Sequence, residues 1–440
     1  MIRTRKLSQL SSADRSVLMR RAQADIEQIT PRVQEMADKV KATGDEALTA
    51  YVKEFDFGEG VPFTGLKVTE EEAKEAAGLL SPEVREAIDA AYANIRAFHE
   101  KQLPEPIWFA EVSPGVFAGE KTTPIERVAC YVPGGKGYFP SVMLMLGVPA
   151  SVAGCPSICV VTPPNKQGKA DPAVLHAAAK CGISEVYKMA GAHSIAALAY
   201  GTATVPRVDK VVGPGSIYAT AAKRILAGVV DVGLPAGPSE SIILADEHAD
   251  PAIAGLDLLI EAEHGADSAA LLVTHSVELA EKAAKAIEGY LPNIPEPRQT
   301  YIRRVLGNYG GIVLTESFEQ SCDFVNDYAP EHLEIQAKDP FLALSRIKHA
   351  GEILLGPYTP ISIANYCLGL NAILPTGRFA RSYSAVTVHD FIKRSGIGYM
   401  DQRGYEKLSG YTATLADYEG FPSHAFAIRE RAKIWKDKKP

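Results

Sequence analysis

Apolar positions recur at helical intervals at the start of the chain, and the rhythm changes near residue 127. In the first 50 residues Val17, Leu18, Ile26 and Ile29 follow a helical spacing, and Ser12 and Asp14 offer a cap, so this stretch is predicted helical. Two helices rich in Ala and Glu are predicted over 70–79 and 82–100, the second opened by Ser81-Pro82. From Arg127 onward, short apolar runs alternate with helical segments. Strands are predicted at 128–132, 158–162, 186–189 and 210–212, then at 241–245, 270–274, 311–315 and 352–355, with a helix at 277–290 in the second series. This repetition predicts βαβ units, mostly parallel sheet and two doubly wound units. Past Thr376 the alternation stops. A strand-like run at 386–392 and a tail from Tyr411 that ends in a charged helix remain, with too few apolar residues for a core of their own.

A chain of 440 residues exceeds what one hydrophobic core usually serves. Hydrophobic residues at 46% and charged residues at 22% place it among folded proteins, and a net charge of -7 with no basic stripe argues against nucleic-acid binding. The six cysteines lack paired CxxC spacing and read as reduced core thiols. Between Gly137 and Asn165 no charged residue occurs, which raises the question of a membrane span. Gly147, Pro149, Gly154 and Pro156 interrupt the stretch, and it reads better as a buried helix over 141–152 followed by a buried strand over 158–162. The N-terminus lacks the apolar segment of a secretory signal, so the expected location is cytoplasmic, with no membrane contact.

Several segments could carry chemistry. The run Pro133-Gly134-Gly135-Lys136-Gly137 and the loop Gly213-Pro214-Gly215-Ser216 each join a strand to a helix, where glycines let backbone N–H groups approach a pyrophosphate; an ordinary tight turn is equally compatible. Glu261 and His264 share one helix face and could grip a metal, or be solvated helix-end charges. Glu331-His332 offers a carboxylate beside an imidazole for proton transfer, or an exposed charged pair.

Taken together the motifs resemble a family. Tyr131-Val132-Pro133-Gly134-Gly135, Gly213-Pro214-Gly215, Ala236-Gly237-Pro238-Ser239-Glu240, Ala262-Glu263-His264-Gly265, Ala329-Pro330-Glu331-His332-Leu333 and Leu374-Pro375-Thr376 stand in the order seen in histidinol dehydrogenases, over nearly the whole chain. The resemblance implies a homodimer that binds zinc and NAD and oxidises an alcohol through the aldehyde to the carboxylate. It implies Glu331 as activator of water and His332 as acid/base. It further implies Glu261, His264, Asn365 and His424 as metal ligands, the last supplied across the subunit interface. Two of these depart from the family's Gln and Asp, yet one carboxylate and one amide oxygen remain in the set. Tyr131, His193 and Ser216 match cofactor-binding positions, with His and Ser in place of Gln and Asn.

Ser239, His332, Ala372 and Glu419 match substrate-binding positions. Ile361 and Ala372 stand where the family carries a Glu and a His, so two polar partners of histidinol are missing. The expected function is oxidation of a different small polar primary alcohol; true histidinol dehydrogenase and an inactive metal-binding scaffold are the alternatives. The expected architecture is α/β, with two doubly wound Rossmann-like domains, a helical N-terminal arm (1–30) and a small C-terminal dimerisation tail (384–440). The first Rossmann-like domain is expected from 31–125 with 240–383, and the second, NAD-binding, from 126–239.

Overall fold

The computed structural model describes residues 2–21, 26–135 and 137–437. Residues 22–25 of the predicted N-terminal helix, Lys136 of the first glycine loop and the end of the charged tail lie outside the described residues. In chain order the strands are β1 (Thr4–Lys6), β2 (Ile107–Ser113), β3 (Val116–Pro124), β4 (Arg127–Tyr131), β5 (Ser157–Thr162), β6 (Glu185–Lys188) and β7 (Lys210–Val212), followed by β8 (Glu240–Ala245), β9 (Ala269–Thr274), β10 (Gly311–Leu314), β11 (His332–Gln336), β12 (Glu352–Leu355) and β13 (Ile392–Met400). Two sheets are parallel, in the orders β1-β10-β9-β8-β11-β12 and β6-β5-β4-β7, and the third, β13-β3-β2, is antiparallel. The chain falls into two compact units. The first, running to Leu103 and over Ile125–Phe391, carries both parallel sheets; the second, Pro104–Pro124 with the residues from Ile392 onward, carries the antiparallel one.

Parallel strands covered on both faces read as continuous apolar runs, and every residue of β8 and β9 is buried. The helices predicted over 70–79, 82–100 and 277–290 form with those bounds, because Thr69, Ser81 and Ser276 accept hydrogen bonds from Glu72, Val84 and Leu279 N–H groups at their starts. The uncharged stretch folds as helix Pro140–Val152 and β5. Among the described residues no helix is long and apolar enough to cross a membrane. All six cysteines are unpaired; Cys155 and Cys367 are half-buried and the other four buried.

Other elements depart from the pattern. The predicted strand at 386–392 is instead a 3-10 turn, Val388–Phe391, with β13 starting at Ile392. β1 lies inside the segment predicted as helix: three residues with two basic side chains, it pairs with β10 and is tied by Arg5, which donates to the Gly310 carbonyl at 2.7 Å. β2 carries exposed Trp108, Phe109 and Val112, and so shows no alternation to announce it. β11 is entirely buried although it contains Glu334 and Gln336.

Those two polar residues are accommodated by a network. Gln336 Nε2 donates to Asp257 Oδ2 at 2.8 Å and to Glu334 Oε1 at 2.6 Å, and Glu334 Oε2 accepts from Ile361 N–H at 3.3 Å. Burial, then the neighbouring Asp257 charge, push the Glu334 carboxyl up to about 9 from 4.5. Near neutral pH the folded chain therefore keeps a proton that the unfolded chain releases. This contribution to stability is full below about pH 4.5 and is lost as pH rises through about 9. The Glu334→Gln variant, neutral at every pH, is expected to flatten the decline. Denaturation midpoints measured between about pH 5 and about pH 9 check it, and an unchanged slope in the variant would count against a protonated Glu334.

Candidate active site

Glu240, His332 and Glu352 are the first residues of three adjacent strands, β8, β11 and β12, and His332 pairs in register with Ser241 on one side and Glu352 on the other. The cluster therefore sits at the amino ends of these strands, whereas open α/β sheets usually bind ligands at the carboxyl ends. Helix Pro251–Ala262 supplies the reason: it ends beside the strand starts and delivers Glu261 from its last turn.

His332 is buried among three carboxylates. Its Nδ1 lies 2.5 Å from Glu352 Oε1, and its Nε2 lies 3.8 Å from Glu331 Oε1 and 3.9 Å from Glu261 Oε1. Burial works against the charged imidazole, but Glu261, Glu331 and Glu352 outweigh it and push His332 up to about 10. Glu331 accepts the Glu240 N–H at 2.8 Å. Burial raises it well above the ordinary carboxylate range, with His332 opposing and the Glu261 and Glu240 charges adding to the rise. The exposed-pair alternative for Glu331 and His332 does not hold, since both are buried.

Glu261, His264 and Asn365 come together in the same unit. Asn365 Nδ2 donates to Glu261 Oε1 at 2.9 Å, His264 Nδ1 lies 3.3 Å from Glu261 Oε2, and Ser239 Oγ lies 3.0 Å from His264 Nδ1. Burial would raise Glu261, but His264 and His332, with hydrogen bonds from Asn365 and Ser239, leave it below its usual value. Asn365 Oδ1 is buried without a hydrogen-bond partner, and Glu261 Oε2, buried too, has the His264 ring 3.3 Å away but no hydrogen bond of good geometry. A buried acceptor left so costs about 1–3 kcal/mol, which a cation would relieve. A carboxylate oxygen, an amide oxygen and an imidazole are a donor set that suits zinc, so the residues fit the metal.

Ile361 is fully buried and opens the short helix Ile361–Ala364, directly before Asn365. Ala372 is half-buried, its N–H facing Met145 Sδ at 3.4 Å. Glu419, at the end of helix Gln402–Tyr418, and His424, stacked on Phe421 with ring centroids 5.4 Å apart, belong to the second unit.

The cofactor-position residues gather at the carboxyl ends of the four-stranded sheet, where the strand order reverses beside β4. Tyr131, buried, accepts the Gly191 N–H at 2.9 Å. His193, also buried, has Nε2 2.7 Å from Asp56 Oδ2, which accepts the Ala190 N–H as well, at 3.1 Å. Both side chains thus brace the turn before helix Gly191–Tyr200. Ser216 is exposed and caps helix Ile217–Leu226 through the Ala219 N–H. Gly213 has φ 132°, and a Cβ there would stand 2.2 Å from the Tyr131 carbonyl oxygen, so only glycine fits. Lys223 donates to the Gly213 carbonyl and closes the loop, burial drawing its ammonium down to about 8.

Sequence reasoning missed Asp56, Glu240 and Glu352 as working residues. An acidic residue at the head of an apolar parallel strand, as at Glu240 and Glu352, was the available signal.

Comparison with known proteins agrees with the motif order. The family model described as histidinol dehydrogenase matches residues 19–432. The "Histidinol dehydrogenase" of Synechocystis sp. is 54% identical over 434 residues, covering 99% of this chain and 100% of that one. The "Histidinol dehydrogenase homolog" of Cereibacter sphaeroides is 52% identical over 423 residues, covering 96% of each. The crystal structure of histidinol dehydrogenase from Elizabethkingia anophelis superposes with a TM-score of 0.93 at 33% identity, over 99% of both chains. An α/β fold with this sheet arrangement, full-length coverage and identity above half place the chain, an oxidoreductase by kinship, in the histidinol dehydrogenase family.

Proposed function

We propose that this chain is a zinc-dependent, NAD-linked dehydrogenase that takes a small polar primary alcohol through the aldehyde to the carboxylate. The observation that carries the reading is His332, held at Nδ1 by Glu352 while Nε2 lies 3.8 Å from Glu331 Oε1 and 3.9 Å from Glu261 Oε1. In this reading a cation held at Glu261 would draw both groups down from their raised values, so that His332 would take the hydroxyl proton of the alcohol and Glu331 a proton from the water that adds to the aldehyde. Glu261, His264, Asn365 and His424 of the partner subunit hold zinc. When bound, zinc would polarise the substrate oxygen, and two NAD in turn would accept the hydrides, one released in each oxidation step. Segment 126–239 binds NAD through Tyr131, Ser216 and the Gly213–Gly215 loop at a helix N-terminus, with His193 bracing the site. Ser239, His332, Ala372 and Glu419 are the substrate-binding residues of this reading. Exposed Tyr411, Tyr418, Phe421 and Phe426 in the second unit support the C-terminal tail as a dimer surface.

On the substrate, the name of the 54% identical Synechocystis relative gives histidinol the stronger support. A second reading, a different polar alcohol, is favoured by buried, apolar Ile361 and by Ala372, which cannot replace two polar contacts worth about 1–3 kcal/mol each. NADH formation by the zinc-loaded protein decides between them. Efficient oxidation of histidinol at low concentration supports the first reading. Weak histidinol turnover beside rapid turnover of another alcohol in a screen supports the second, and no NADH from any alcohol would sink the enzyme.

A further inference from the structure

Helix Ser12–Arg20 ends just before Arg21, which has φ 59°, in the left-handed region that L side chains rarely adopt. Its side chain is buried and reaches two places. Nη1 lies 2.6 Å from Glu240 Oε2 and 2.7 Å from Oε1. Nη2 donates to the Tyr328 carbonyl and, at 3.5 Å, approaches that of Ala329, while the guanidinium lies over the Tyr328 ring, 3.8 Å from its centroid. Ala329, at φ 50°, is another left-handed non-glycine residue, ending helix Phe318–Tyr328 immediately before Pro330-Glu331. On the other side, Glu240 gives its N–H to Glu331 and accepts the Gly377 N–H at 2.8 Å. Arg21 therefore grips both the turn that leads into Glu331 and the residue whose N–H holds the Glu331 carboxylate.

We propose that Arg21 is a positioning residue for Glu331: reaching in from the N-terminal helix, it locks the Tyr328-Ala329 turn against Glu240 and so fixes the Glu331 carboxylate for the aldehyde-to-carboxylate step. This inference rests on the role given to Glu331 above. Backbone strain of this kind persists only where its surroundings over-determine it, and two such residues meet at one guanidinium. Without Arg21, Glu240 would be a buried carboxylate without its counter-charge beside Glu331, a costlier state than loss of the pair as a whole.

The test uses the full-length, zinc-loaded enzyme with histidinol and its aldehyde or, if histidinol is not turned over, the alcohol found in the screen and its aldehyde. Arg21→Met is expected to slow aldehyde oxidation about tenfold or more relative to alcohol oxidation, with KM little changed. The double variant Arg21→Met, Glu240→Gln, which removes the stranded charge, is expected to recover part of that rate, and Arg21→Lys to fall between wild type and Arg21→Met. If Arg21→Met does not fold, the step ratio in Arg21→Lys carries the test. A folded Arg21 variant that slows both steps alike, or neither, overturns the proposal. Glu331→Gln is measured alongside: if it fails to separate the two steps, the reading of Glu331 falls and this one with it, whereas failure of the Arg21 variants alone overturns only the positioning role.

Discussion

Replacing His332 with Asn is expected to lower both oxidation steps by about 100-fold or more, whereas Glu331→Gln slows carboxylate formation more than aldehyde formation. The difference follows from placement. His332 Nε2 is the group that faces both Glu331 and the Glu261 end of the site, and its Nδ1 is anchored on Glu352, so in the proposed mechanism one imidazole would serve a proton transfer in each step. Asn keeps a polar side chain there but has no titrating nitrogen. Glu331 is held by the Glu240 N–H, and an amide at this position can still fill the space while losing the ability to take a proton from water. Rates measured separately from the alcohol and from the aldehyde check this. Equal loss of both steps in Glu331→Gln would remove the division of labour, and near-normal turnover in His332→Asn would remove His332 from the chemistry.

The second large effect concerns metal content. Glu261→Gln leaves no carboxylate among the proposed ligands, and zinc affinity is expected to fall by about tenfold or more. Asn365→Asp places a second carboxylate beside Glu261, where Asn365 Nδ2 now donates to Glu261 Oε1 at 2.9 Å. Two anionic ligands hold the cation more tightly and make it a weaker Lewis acid, so turnover is expected to drop while zinc is retained. Combining the two changes restores one carboxylate and one amide, and zinc content and rate should recover relative to Glu261→Gln alone. Zinc titration and steady-state rates on the four proteins form a double-mutant cycle. Strictly additive effects would mean that Glu261 and Asn365 do not share a metal.

The buried parallel strands were legible in the sequence because burial on both faces writes itself locally: residues 241–245 and 270–274 are apolar runs wherever they pack. Helix starts were legible for the same reason, since Thr69, Ser81 and Ser276 cap within three residues of themselves. The order of short motifs was enough to indicate the family and, through it, Glu331, His332 and the Glu261, His264 pair. Tertiary structure alone decided the rest. β1 is a strand because an edge of the six-stranded sheet accepts it, and β13 because β3 lies beside it; neither carries a periodicity strong enough to say so. The anchors of the site are matters of distance in space: Glu352 on His332 across 20 residues, Asn365 on Glu261 across 104, Arg21 on Glu240 across 219. Side-chain periodicity reports which face of an element is buried, but not which charge from another element will meet it there, and that choice is made only when the strands and helices pack.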